Sequence, residues 1–190
     1  IANGYRQSPI DIQTKEVKKD ASLGLLRITW KPSTCKEIVN VGHSFHVNFE
    51  DKDNHSVLTG GPLSGTYRLR QFHFHWGQND EQGSEHTVDG RKYASEVESM
   101  KERSKSSFQS LDLKVFFHLQ LGLCNENLKG VLKALDSVKT KQAPFSDFDP
   151  SSLLPKSLDY WTYDGSLTHP PLHESVIWII LKEPITISSE

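Results

Sequence analysis

The stretch that most constrains this chain is Tyr67-Arg68-Leu69-Arg70-Gln71-Phe72-His73-Phe74-His75-Trp76-Gly77. In a strand successive side chains point to opposite faces. Strict alternation therefore predicts one face with Tyr67, Leu69, Gln71, His73 and His75, and another with Arg68, Arg70, Phe72, Phe74 and Trp76. Two histidines at i and i+2 on a stiff, aromatic-rich strand aim both imidazoles at one point, as a divalent metal requires. A catalytic zinc takes three protein ligands, its nitrogens at about 2.0–2.1 Å, and keeps a fourth position open. Taken alone, His-x-His is short and fits equally two polar residues on a half-solvated sheet face.

The chain has 190 residues, room for one domain (1–190) with a substantial core. A net charge of −2 carries no basic footprint for nucleic acid and no polybasic membrane anchor. No apolar run approaches the roughly 20 residues of a membrane span, and no signal-peptide pattern opens the chain. Cys35 and Cys124 are too few for a disulfide framework and form no C-x-x-C pair, which fits a reducing, cytoplasmic setting.

Short extended runs predict a β-dominated core. They are Leu26–Trp30, Glu37–Val41 and Ser44–Glu50, the last with Phe45, Val47 and Phe49 on one face. Gln7–Ile12 reads as a short extended piece interrupted by Pro9, and Gly60-Gly61-Pro62 punctuates the approach to the histidine strand. One helix is predicted over Glu126–Lys139, where Leu128, Val131, Leu132, Leu135 and Val138 form an apolar stripe behind a possible Asn125 cap. A single turn is expected near Ser151–Leu154. Ser175–Lys182, apolar on both faces, reads as a buried central strand.

Three separated motifs now fall in one order: Phe72-His73-Phe74-His75-Trp76-Gly77, Gly83-Ser84-Glu85-His86-Thr87-Val88-Asp89-Gly90, and Gly165-Ser166-Leu167-Thr168-His169-Pro170-Pro171. Together with Gln7-Ser8-Pro9-Ile10-Asp11-Ile12 they resemble the α-class carbonic anhydrases, most closely the cytosolic vertebrate forms, over most of the chain. The resemblance implies a mostly β fold: a large, twisted, mainly antiparallel sheet with few peripheral helices. It implies zinc-dependent reversible hydration of carbon dioxide to bicarbonate and a proton through zinc-bound hydroxide. A monomer acting on a small-molecule substrate is implied too, with sulfonamide-type inhibitors, no nucleic-acid partner and no membrane. Members of the family carry further residues beyond both ends of this sequence, including a strand inside the sheet. If the chain is complete, exposed sheet edges and marginal stability are expected.

By the same resemblance His73 and His75 are the first two zinc ligands. The family then reads Lys-Tyr-Ala-x-Glu-x-His, and its histidine completes the set. Here Lys92-Tyr93-Ala94-Ser95-Glu96-Val97-Glu98 puts Glu98 in that place, and the family pattern is lost from Val97 to about Lys114 in a charged, serine-rich run that is odd for an internal strand. Strand parity puts Glu96 and Glu98 on one face, and His₂Glu zinc sites exist in other enzymes. A carboxylate on a solvated segment that binds nothing is the competing reading. A carboxylate ligand would also make the bound water less acidic. His118, on an apolar strand, is a further conceivable donor but reads better as a satisfied sheet histidine.

Other roles follow from matched positions. Gln71 matches the residue that orients the first histidine, and Glu96 the one that orients the third. Glu85 and Thr168 match the gatekeeping pair that aligns the attacking oxygen, although a threonine before His-Pro-Pro also suits a turn hydroxyl. His43 matches the proton shuttle, a role suited to a side chain that titrates near neutral pH. His46 and His169 match additional active-site histidines of the red-cell form. Leu167 and Val176, backed by Trp178, would line an apolar wall for carbon dioxide, and His86 reads as a buried, hydrogen-bonded structural histidine.

Overall fold

The structure is a computed structural model describing residues 4–50, 52, 54–79, 81–103, 112–121, 131, 133, 134, 138, 142–146 and 148–187, with backbone alone at 100–103, 112–121 and 187. Among the described residues thirteen strands form, in chain order. They are β1 (Asp11–Ile12), β2 (Leu26–Thr29), β3 (Cys35–Asn40), β4 (Phe45–Phe49), β5 (Val57–Gly60), β6 (Tyr67–Trp76) and β7 (Thr87–Val88). There follow β8 (Ser95–Arg103), β9 (Asp112–Leu121), β10 (Gln142–Pro144), β11 (Tyr160–Gly165), β12 (Val176–Leu181) and β13 (Ile185–Ile187).

Eleven of these strands join one sheet, whose main path runs β10-β3-β4-β6-β8-β9-β12-β11. Its pairs are antiparallel except where β12 and β13 run parallel to β9. The predicted mostly β architecture is therefore what forms. The expected strands appear within a residue or two of their predicted limits, and the turn near Ser151 is a short 3₁₀ helix, Pro150–Leu153. Most of the predicted Glu126–Lys139 helix lies outside the described residues. Within it residues 131, 133 and 134 are helical, and Val131 and Val138 are buried as the apolar stripe requires.

Two irregularities decide which side chains face the site. Between Leu69 and Gln71 the pairing of β6 with β8 slips by one residue. An extra residue on one strand reverses the inside-outside parity beyond it. Tyr67 and Leu69 consequently join Phe72 and Phe74 in one apolar core, leaving Gln71, His73 and His75 for the opposite face. The single uninterrupted face expected from alternation is thus split. A matching slip between Cys35 and Glu37 in β3 brings Cys35 and Ile38 into the same core.

The charged, serine-rich run after Val97 corrects a second expectation. Up to Arg103 it is β8, an internal strand paired with β6 on one side and β9 on the other. Among its described side chains Ser95, Glu96, Glu98 and Ser99 are all buried rather than turned to water. Polarity here marks a polar interior, not a surface.

On the site face, Cα pairing draws one row across the sheet: His46 on β4, His73 on β6, Glu98 on β8, position 116 on β9 and Ile180 on β12. Ile180 packs with Val176, Trp178, Leu167 and Ile12 in a second apolar cluster. The histidines and an apolar floor therefore share a face, with the main core on the other side.

Candidate metal centre

His73 and His75 come from the same strand, and Glu98 lies directly across from His73 on β8. Strand periodicity aligns the two imidazoles, and the antiparallel register delivers the carboxylate. His73 Nε2 lies 3.1 Å from His75 Nε2, and Glu98 Oε2 lies 3.3 Å from each of them. Among the described residues these three form the one group of histidine, cysteine or acidic side chains whose ligand atoms converge tightly enough for a metal. Glu98 is fully buried and His73 nearly so, while His75 opens partly to solvent. Two imidazole nitrogens and a carboxylate oxygen converging this closely call for a proton or a cation between them.

The distances fit zinc. Donors on one face of a tetrahedron with bonds of about 2.0–2.1 Å are separated by about 3.3–3.4 Å. The three edges here are 3.1, 3.3 and 3.3 Å. Glu98 Oε2 thus lies where its reading as a third ligand requires.

Electrostatics around the triangle distinguish its histidines. For His75, burial works against the charged ring, but the hydrogen bond it donates to Glu98 and the nearby Glu85 and Glu96 carboxylates outweigh it and raise the pKa. His46, its ring tilted against that of His73 with centroids 5.1 Å apart, goes the other way. Burial, reinforced by the His73 and His43 imidazoles, pushes it down to about 4, so His46 is neutral at physiological pH. His43 sits exposed in the turn before β4, where Gly42 adopts a φ of +93°.

The supporting residues differ from expectation in three places. Gln71 does not meet His73: its amide donates to Asn48 Oδ1 at 3.2 Å, and His73 Nδ1 is buried without a hydrogen-bond partner among the described residues. Asn48 in turn donates to Glu37, which also accepts from Gln142, so Gln71 ends a polar ladder across four strands. Glu96 has no histidine at position 98 to orient. Its Oε2 accepts from the backbone N–H groups of Glu85 and His86 at 2.6 and 2.8 Å, and its Oε1 accepts from His86 Nδ1 at 2.8 Å. Thr168 and Glu85 are not joined either: Thr168 Oγ1 and Glu85 Oε2 are both buried without a partner, and Glu85 Oε1 faces His75 Nδ1 at 3.8 Å.

His86 is fully buried, and its Nε2 lies 2.6 Å from the Tyr163 hydroxyl, which is 2.9 Å from Ser8 Oγ. Ser8 also meets Ser166 through a backbone N–H at each end. Sequence reasoning gave no role to Tyr163, Ser8 or Asn48. Only the Gln7–Ile12 motif pointed toward Ser8, and it did not say what the serine touches. His169 is exposed, with Nδ1 near its neighbouring Pro170 carbonyl, while Leu167 and Val176 are buried beside Trp178. His118 is placed by register opposite Glu96.

Across residues 1–190 the chain matches the eukaryotic-type carbonic anhydrases. It belongs to that family. It is 58% identical over 200 residues to carbonic anhydrase 1 of Monodelphis domestica, a match covering all of this chain and 76% of that protein. The carbonic anhydrase 1 of Mus musculus is likewise 58% identical, with 77% of it covered. That of Oryctolagus cuniculus is 56% identical, covering 98% of this chain and 83% of the rabbit protein. For a carbonic anhydrase, the notable feature of this centre is a carboxylate, Glu98, at the position expected to supply the third imidazole.

Proposed function

We propose that this carbonic anhydrase family member hydrates carbon dioxide reversibly, giving bicarbonate and a proton, with zinc held by His73 Nε2, His75 Nε2 and Glu98 Oε2. The observation that carries the proposal is the near-equilateral convergence of those three atoms. Zinc held there supplies Lewis acidity, making water acidic enough to lose a proton near neutral pH, as is established for carbonic anhydrases in general.

The chain's own residues do the rest. Thr168 and Glu85 are not joined in the structure, but a hydroxyl turned to donate to Glu85 would leave the Thr168 oxygen only able to accept, and so able to orient the attacking oxygen. The unpartnered, buried Thr168 Oγ1 and Glu85 Oε2 support that pairing. Leu167 and Val176, with Trp178 behind them, give an apolar wall suited to a substrate with no hydrogen-bond donor. His43, exposed at its turn, hands the released proton to solvent, while neutral His46 and exposed His169 shape the approach. Gln71 and Glu96 stiffen the strands that carry the ligands. Glu98 brings a negative charge that opposes ionisation of the water, so turnover is expected to fall below that of a Glu98→His variant. The reading extends to a cytoplasmic monomer inhibited by sulfonamides.

A second reading is a carbonic-anhydrase-related binding domain without a competent zinc site. One observation favours it: ligating histidines usually donate their second N–H to a fixed acceptor, and His73 Nδ1 has none among the described residues. Native mass spectrometry of the purified chain with trace zinc, followed by stopped-flow hydration with and without a sulfonamide, decides between them. One zinc per chain and sulfonamide-sensitive hydration are expected. A folded chain that holds no zinc would leave the binding domain.

A further inference from the structure

The donor triangle does more than admit zinc. An octahedral face with bonds of about 2.1 Å has edges of about 3.0 Å, against about 3.3–3.4 Å for the tetrahedral face. The two edges to Glu98, at 3.3 Å, meet the tetrahedral value, while the His73–His75 edge, at 3.1 Å, falls toward the octahedral one. Glu98 also changes the donor chemistry. It is a hard, anionic oxygen ligand in place of a neutral nitrogen, and a carboxylate can bind through one oxygen or both, which lets the coordination number rise. Two histidines and one carboxylate on a single face, with the remaining positions open, form a donor set that suits six-coordinate divalent ions as well as four-coordinate zinc.

We infer that Glu98 relaxes the metal selectivity of this centre, so that it accepts harder six-coordinate divalent ions, Mn(II) among them, that an all-imidazole site would discriminate against. This inference rests on the proposed centre. Its energetic basis is simple: exchanging nitrogen for carboxylate oxygen weakens zinc more than Mn(II), because the harder ion loses less when imidazole is removed.

The test is competition between Zn(II) and Mn(II), read by native mass spectrometry, for the parent chain, Glu98→His and Glu98→Gln, with circular dichroism establishing that each is folded. The expected preference for zinc over Mn(II) is narrower in the parent chain than in Glu98→His by about tenfold or more. Glu98→Gln, which keeps the shape and removes the anionic donor, is expected to lose Mn(II) while staying folded. Equal preferences in the parent chain and Glu98→His overturn the inference and leave the centre standing. Metal on Glu98→His but none on the parent chain overturns Glu98 as a ligand, and with it both readings. Folded proteins that bind neither ion overturn the centre itself. If Glu98→His does not fold, Mn(II) retained by folded Glu98→Gln is sufficient to refute the inference.

Discussion

Two glutamates lie two residues apart on β8, on one face and both fully buried, yet they keep different company. Glu96 is surrounded by donors the fold supplies permanently, two backbone N–H groups and His86 Nδ1. Glu98 faces two Nε2 atoms at 3.3 Å, and those nitrogens donate only when protonated. A buried charge with fixed donors is a structural element, whereas one facing imidazole nitrogens whose donor role depends on the tautomer is also placed to share a cation with them. One strand thus carries a finished polar network and an open one side by side.

The largest expected effect would break that contrast if it failed to appear. Glu96→Ala strands two backbone N–H groups and His86 in the interior. Removing one partner of such a buried arrangement costs about 3–5 kcal/mol. For a chain of this size that is a fall in melting temperature of roughly 10 °C or more. Glu98→Gln in the presence of a chelator is expected to shift stability by about 1 kcal/mol or less. Thermal melts of both variants make the comparison. Equal losses would mean that Glu98 is structural too.

Zinc gives the next largest effect and should act on Glu98 alone. Binding to the folded chain stabilises by about 2.7 kcal/mol when free zinc is 100 times its dissociation constant. A zinc-dependent rise in melting temperature is expected in the parent chain and absent in Glu98→Gln. A rise that survives in Glu98→Gln would move the third ligand elsewhere.

Much of the open half was legible in the sequence, because its parts are local. His73 and His75 are adjacent on one face of one strand, and parity put Glu96 and Glu98 together without knowledge of the register. The finished half was not legible. His86 meets Tyr163 across 77 positions of sequence, and Tyr163 meets Ser8 across 155, so no periodicity links them. The slip between Leu69 and Gln71 was hidden for a related reason: a bulge is a property of two strands, and alternation along β6 looks unbroken when read alone. The composition of β8 misled in the same way, since polar residues buried inside a sheet resemble a surface until the neighbouring strands are known.

The finished network also has a pH signature of its own, on the alkaline side. Burial raises the pKa of the Tyr163 hydroxyl above its ordinary value near 10, with the Glu96 and Glu85 charges adding to it. A raised pKa in the folded state means that the unfolded chain loses this proton first. The contribution to stability is therefore complete below pH 10 and declines as pH rises beyond it. Denaturant midpoints should fall between about pH 10 and 11, and Tyr163→Phe should flatten that slope at the cost of a lower midpoint at neutral pH. An unchanged slope in Tyr163→Phe would detach the alkaline response from this network.

The smallest expected effect concerns Gln71, which stands between the two kinds of site. Removing a residue that fixes a ligating histidine usually lowers metal affinity about 10–100-fold. Gln71, however, gives its amide to Asn48, in a ladder that continues to Glu37 and Gln142, and His73 Nδ1 receives nothing from it. The ladder orders β3, β4 and β6 without touching a ligand atom. Gln71→Ala is therefore expected to cost about 1 kcal/mol of stability, the worth of an ordinary hydrogen bond. Its zinc affinity should stay within about tenfold of the parent chain, below the usual range for an orienting partner. Zinc titration against a competing chelator measures this directly. A loss of a hundredfold would show that Gln71 turns to His73 when metal binds, and would extend the open half of the site beyond the three donors seen converging here.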